Sequence, residues 1–155
     1  MLLAAGRSDS PMKKTKVQTI YSPDTSSSCA RPLYVESVSA GFPSPAEDYV
    51  EGQLDLNKHL IEHPAATYFV RVTGDSMIEA GIHNGDLLIV DRSLEPRDKN
   101  IVIANINGEL TVKRIRIRRK KLTLMPENEN YQPQPINDDM ELEIWGVVRH
   151  VIHTV

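Results

Sequence analysis

The chain has little of what disulfide-built, membrane-built and strand-stacking proteins need. One cysteine, Cys29, in 155 residues excludes an internal disulfide framework, and its Ser-rich surroundings lack the His, Cys or Asp neighbours of a metal site. Aromatic residues make up 5%, too few to build base-stacking platforms along a single nucleic-acid strand. No segment approaches the roughly 18 apolar residues of a membrane span, and Met1 to Ala5, followed by Arg7, is too short for a signal-peptide apolar region. A formal net charge of -3 with a pI near 5.9 gives no overall attraction to phosphate backbones, so sequence-specific DNA binding is not expected. What remains is a cytoplasmic protein with no cofactor, no metal and no membrane partner. At 155 residues, 40% of them hydrophobic, it has the size of one domain. Met12, followed by Lys13, Lys14 and Lys16, is an alternative start to Met1.

Two regions differ in composition. Residues 1–43 are rich in Ser, Thr and Pro and show neither helical nor alternating periodicity, which predicts a flexible arm. Within the arm, the stretch from Leu33 to Pro43 mixes β formers with small residues and suits pairing as a strand in a peptide groove. Residues 44–155 form the predicted body. Ser44-Pro45-Ala46-Glu47 has a capping-box pattern for a short helix, and a second helical turn is expected from near Asn57 through Leu60 and Ile61, before Pro64. Strands are then predicted at Tyr68 to Val72, Asp86 to Asp91, Ile101 to Ile106, Leu122 to Met125 and Glu141 to Val151, with Gly146 at a bulge or bend. Asn107-Gly108, followed by Leu110-Thr111-Val112, is the strongest hairpin signal in the chain. The fold class is mostly β.

The segment Val70 to Met77 runs from a strand into a Gly-containing turn, which can expose the Ser76 hydroxyl and aim backbone N–H groups at a substrate carbonyl. Gly-Asp-Ser is also ordinary turn chemistry, so the hydroxyl needs a base. Strand parity supplies one: Lys113 shares a face with Ile115 and Ile117, while Val112, Arg114, Arg116 and Arg118 face the other way. Burial on that face lowers a lysine pKa toward the neutral amine of a Ser/Lys pair. The alternative is a lysine whose stem crosses apolar surface and whose head reaches water.

At these residues the chain resembles the UmuD and MucA family of self-cleaving proteins, related to the LexA-type repressors. The resemblance is carried by Gly74-Asp75-Ser76-Met77, Asn84-Gly85-Asp86, Thr111-Val112-Lys113 and Ala40-Gly41-Phe42-Pro43-Ser44-Pro45-Ala46, in family order across roughly residues 38–151. It implies a compact β-clip peptidase domain like those of LexA and the signal peptidases. Ser76 would be the nucleophile, Lys113 the general base, Ala40-Gly41 the scissile bond, and the N–H groups of Asp75 and Ser76 the oxyanion donors. It further implies a homodimer, a UmuC-type polymerase partner, stimulation by RecA filaments and contact with a polymerase sliding clamp. Two features depart from the family: a longer arm before Gly41, and an Ala-Gly bond where some UmuD proteins have Cys-Gly.

Other patterns compete. His59, Glu62 and His63 fit an H-x-x-E-H zinc pattern, but Pro64 stops the helix at once and no third ligand follows. A triad through His83 would place a turn residue, expected to be solvated, at Ser76. The seven cationic residues between Lys113 and Lys121 read first as a solvated strand face and second as a nucleic-acid contact. Asp138, Asp139, Glu141 and Glu143 are their expected ion-pair partners. A repressor would need a helix-turn-helix, which the arm's composition does not suit. A non-catalytic binding module on the same fold would leave the arm uncut.

Overall fold

The computed structural model describes residues 12–34 and 50–155. Among the described residues, ten strands and one short α-helix follow one another: β1 Lys16–Tyr21, β2 Ala30–Tyr34, β3 Val50–Asp55, α1 Leu56–Leu60, β4 Thr67–Thr73, β5 Leu87–Asp91, β6 Ile101–Ile106, β7 Glu109–Arg118, β8 Lys121–Met125, β9 Gln134–Pro135 and β10 Leu142–Ile152. Short 3-10 turns at Pro64–Ala66 and Ile78–Ala80 link them. The fold is mostly β, as the pattern of short β-former runs implies.

Eight strands form one antiparallel sheet in the order β1-β4-β5-β10-β6-β7-β8-β9, and β1 also touches β7 through Lys16 and Thr111. That contact curls six strands into a ring closed by β1, from which β8 and β9 branch at the β7 side. Strands β2 and β3 form a separate two-stranded ribbon. Its edge runs into α1, whose N-cap Asp55 accepts the Asn57 N–H. Val70, Val72, Met77, Leu88, Val90, Ile103 and Val112 form one buried cluster, while Val102, Ala104, Ile106, Ile115, Leu124 and Val147 form another on the opposite face of β6 and β7. Neighbouring residues of β6 therefore serve different clusters, which is why that strand reads as an apolar run rather than as clean alternation.

Local turn chemistry fixes the register where the sequence supplies it. Asn107 and Gly108 both have positive φ, 49° and 85°, and set the β6–β7 pairing of Ala104 with Thr111 and Val102 with Lys113. Strand β10 shifts register on β6 between Ile144 and Gly146. The expected irregularity lies there because a Cβ on Gly146 would sit 2.6 Å from Val90 Cγ1.

The structure corrects the reading of the arm as lacking regular structure. Residues Lys16–Tyr21 pair with Thr73 to Phe69 as a strand of the sheet, with a register break between Val17 and Thr19. They escaped pattern reading because only Val17 among them is even half buried, so backbone pairing holds the strand without an apolar face to announce it. The capping-box segment 44–47 lies outside the described residues, and by residue 50 the chain is in β3.

Candidate active site

Strand β4 ends at Thr73, and the chain turns at Gly74, whose φ of +98° only glycine adopts without strain. Its N–H donates to Asn84 Oδ1 at 3.1 Å, so the Asn84-Gly85 turn props the loop from behind. Met77 is fully buried in the core and anchors the loop from below. From the side, the segment after β8 clamps it. Glu127 N–H donates to the Ser76 carbonyl at 2.8 Å, Asn128 Nδ2 donates to the Asp75 carbonyl at 2.9 Å, and the Tyr131 hydroxyl donates to Asp75 Oδ1. Burial, together with that carboxylate acceptor, pushes the Tyr131 phenol up to about 12, which keeps it a donor. A loop held on three sides presents Ser76 with 0% exposure.

Lys113 reaches this hydroxyl from β7. Its Nζ lies 2.9 Å from Ser76 Oγ, and the residue is 6% exposed. The parity argument holds at Lys113 and Ile115, both buried, whereas Ile117 farther along the strand is 37% exposed. Burial, with a smaller contribution from the Lys14 ammonium and against the opposing pull of Glu109, lowers the Lys113 pKa to about 8. Glu109 is itself held below the usual carboxylate range by its bond to Lys16, at 2.9 Å. A cavity of about 210 Å³ adjoins the amine, lined by Lys14, Glu109, Thr111, Lys113 and Gln134 among others. It is roomy enough for several waters, each needing about 30 Å³.

A third group meets Ser76 that sequence reading missed. The buried Thr15 donates its N–H to Ser76 Oγ at 2.8 Å. The Thr15 carbonyl accepts from Val112 N–H at 3.2 Å and from Thr111 Oγ1 at 3.0 Å. Two residues earlier, the Lys13 carbonyl accepts from Asp75 N–H at 2.8 Å. The approach is so close that a Cβ on Gly74 would lie 2.3 Å from the Lys14 oxygen. The segment 13–16 therefore bridges the gap between β4 and β7.

Ser76 and Lys113 are thus brought together from 37 residues apart, with Asp75 on the same loop. The predicted scissile residues Ala40 and Gly41 lie outside the described residues. Among the competing sites, α1 ends at Leu60, so His59 and His63 do not share a helix; His63 Nδ1 instead bonds Asp91 Oδ2 at 2.6 Å. His83 packs against His153 and lies 3.7 Å from Asp86, which also bonds His153. It is Lys113 that meets the hydroxyl. In the basic stretch, Arg118 pairs with Asp98 and Arg114 with Glu127, not with the acidic residues 138–143 expected from sequence. No helix among the described residues is long and apolar enough to cross a membrane.

Comparisons with known proteins point to a peptidase family. A family model described as Peptidase S24-like matches residues 32–149. Protein ImpA of Escherichia coli is 45% identical over 141 residues, covering 88% of this chain and 96% of that protein. Protein MucA of Escherichia coli is 48% identical over 120 residues, 77% of this chain and 82% of the other. The LexA repressor of Hahella chejuensis is 40% identical over 114 residues, 73% of this chain and 56% of the repressor.

Proposed function

The chain belongs to the Peptidase S24-like family, and from that premise we propose that it is a serine peptidase acting on its own amino-terminal arm. The observation that carries the reading is the 2.9 Å contact between a buried lysine amine and a buried serine hydroxyl. A lysine pKa near 8 leaves about a tenth of the amine neutral at pH 7. That neutral amine takes the Ser76 proton as Oγ bonds to the Ala40 carbonyl carbon. The oxyanion that forms is met by the Asp75 and Ser76 N–H groups. The C–N bond to Gly41 breaks as Lys113 returns the proton to the leaving nitrogen. Lys113 then takes a proton from water, the hydroxide displaces Oγ from the acyl carbon, and Ser76 regains its hydrogen. The products are residues 1–40 with a new carboxylate and residues 41–155 with a new amine.

The likeness to ImpA and MucA over most of the chain supports a place beside a UmuC-type error-prone polymerase, as a homodimer in the cytoplasm, with the shortened product as the working form. A RecA filament would act by stabilising the docked arm and so raising the competent fraction. Contact with a polymerase sliding clamp belongs to the same reading. Incubation at mildly alkaline pH followed by intact-mass measurement tests the chemistry: one step at the Ala40-Gly41 bond is expected, and an intact chain at pH 9 counts against it. Adding RecA, an ATP analogue and single-stranded DNA at neutral pH tests the stimulation; an unchanged rate removes the filament from the mechanism.

A further inference from the structure

The gap between β4 and β7 is one strand wide, and the chain's own residues 13–17 already fill it. Both walls donate to this segment: Asp75 N–H to the Lys13 carbonyl, and Val112 N–H and Thr111 Oγ1 to the Thr15 carbonyl. Lys16 continues the pairing, lying opposite Thr73 on one side and Thr111 on the other. This is strand addition to exposed sheet edges, the usual way a groove recognises an extended peptide.

The Lys14–Thr15 bond lies over the hydroxyl but in a pose that does not react. The Thr15 N–H points at Ser76 Oγ, and because an N–H lies in the plane of its own peptide group, the oxygen lies close to that plane. Attack on the Lys14 carbonyl needs an approach steeply out of it. The same pose spends a lone pair of Oγ on an amide donor and occupies Asp75 N–H, which an oxyanion would need.

We propose that the groove between β4 and β7 is a binding site for an extended peptide strand whose resident ligand is the segment Lys13–Val17, and that the scissile segment enters only after this strand has left. The second half of the statement rests on the self-cleavage reading above; the first does not. Departure is feasible because, beyond the hydrogen bonds of its backbone, the strand is held among the described residues only by the half-buried Val17 against the core and by the exposed Lys16–Glu109 ion pair. Thr15 is buried and Val17 half buried, while Lys13, Lys14 and Lys16 are exposed. The groove opens in proportion to the population of the undocked segment, and the observed cleavage rate is scaled by that fraction.

The test uses the full chain with Thr15→Pro, which removes the N–H donor and places a ring carbon against Ser76 Oγ. Lys16→Glu is a milder second variant that sets two like charges at the Glu109 contact. Cleavage is followed by intact mass at pH 8, and amide hydrogen exchange at Asp75 and Val112 is followed at pH 6.5, where the protonated base keeps cleavage slow. About tenfold faster cleavage is expected in Thr15→Pro from the loss of the bond and the added clash, with two- to threefold in Lys16→Glu. The Asp75 and Val112 amides should exchange at least tenfold faster in Thr15→Pro than in the parent. If neither parent nor variants cleave, the self-cleavage reading fails and exchange alone judges the resident strand. Equal protection of the two amides in parent and Thr15→Pro overturns the proposal, as does cleavage by a folded Thr15→Pro no faster than the parent's.

Discussion

Strands β7 and β1 both deliver a nitrogen to the same oxygen atom, Lys113 Nζ at 2.9 Å and the Thr15 amide, just before β1, at 2.8 Å from Ser76 Oγ, yet the strands are held in different ways. β7 is paired along its length with β6 and β8 and sends Val112 and Ile115 into two separate buried clusters. Displacing it would dismantle the core. β1 is paired mainly with β4, exposes Ile20 and Tyr21, and packs on the core through the half-buried Val17 alone. The lesson is that distance to a candidate nucleophile does not identify a catalytic partner: the burial behind a contact separates machinery from ligand.

The sharpest way to break this contrast is to replace each contact in turn. Ser76→Ala and Lys113→Met should each reduce self-cleavage about a thousandfold or more, since the hydroxyl and its base act as a unit. An Lys113→Met protein that still cleaves at a tenth of the parent rate would demote the lysine to the same standing as Thr15.

The next effect is on pH. The neutral fraction of Lys113 rises about ninefold from pH 6 to 7 and about fivefold more from pH 7 to 8, so the cleavage rate should climb about fiftyfold across that span and flatten above it. A flat profile removes the amine as base. The direction of any displacement is informative too, because Lys14 contributes to lowering this pKa. If the strand departs before cleavage, the profile should flatten at a pH above that set by the docked state.

Stability gives a smaller but independent contrast. Lys113 titrates near 8 when folded and near 10.5 when unfolded, so below pH 8 its buried charge opposes folding. That cost is relieved as pH rises through the interval between the two values, up to the region near 10 where Tyr68 and Tyr131, both raised to about 12, begin to favour the folded state less. Lys113→Met should therefore be the more stable protein at pH 7, by up to about 3 kcal/mol in urea unfolding. The advantage should shrink between pH 8 and 10; an advantage that grows would contradict the assigned burial. Smallest of all, Ile20→Ala on β1 should change stability by less than about 0.5 kcal/mol, whereas Leu88→Ala in the core should cost about 2–5 kcal/mol. Comparable losses at the two positions would mean that β1 is scaffold after all.

Much of the body was legible because its information is local. The Asn107-Gly108 hairpin, the Asp86 to Asp91 and Ile101 to Ile106 runs and the bend at Gly146 all lie where composition and spacing put them. The turn joining β7 to β8 shows the limit: Arg119 and Lys120 both adopt positive φ, 49° and 62°, a conformation their side chains do not advertise. β3 and β9 were missed for a related reason, having too few apolar positions to make a period. Of the clamps on the Ser76 loop, Asn84 sits in a turn that the sequence marks, whereas Asn128 and Tyr131 carry no motif of their own and become partners only across 53 and 56 residues of chain.

The sequence by itself determined that this is a mostly β protein, and strand parity was enough to put Lys113 on the buried face from which it meets Ser76, because side-chain direction along a strand follows from its geometry alone. Tertiary structure decided which backbone stretch lies in the gap beside that pair. Lys13 to Val17 has no apolar face to mark it, and its place depends on N–H and C=O groups that every residue carries, so no pattern of side chains can reveal it.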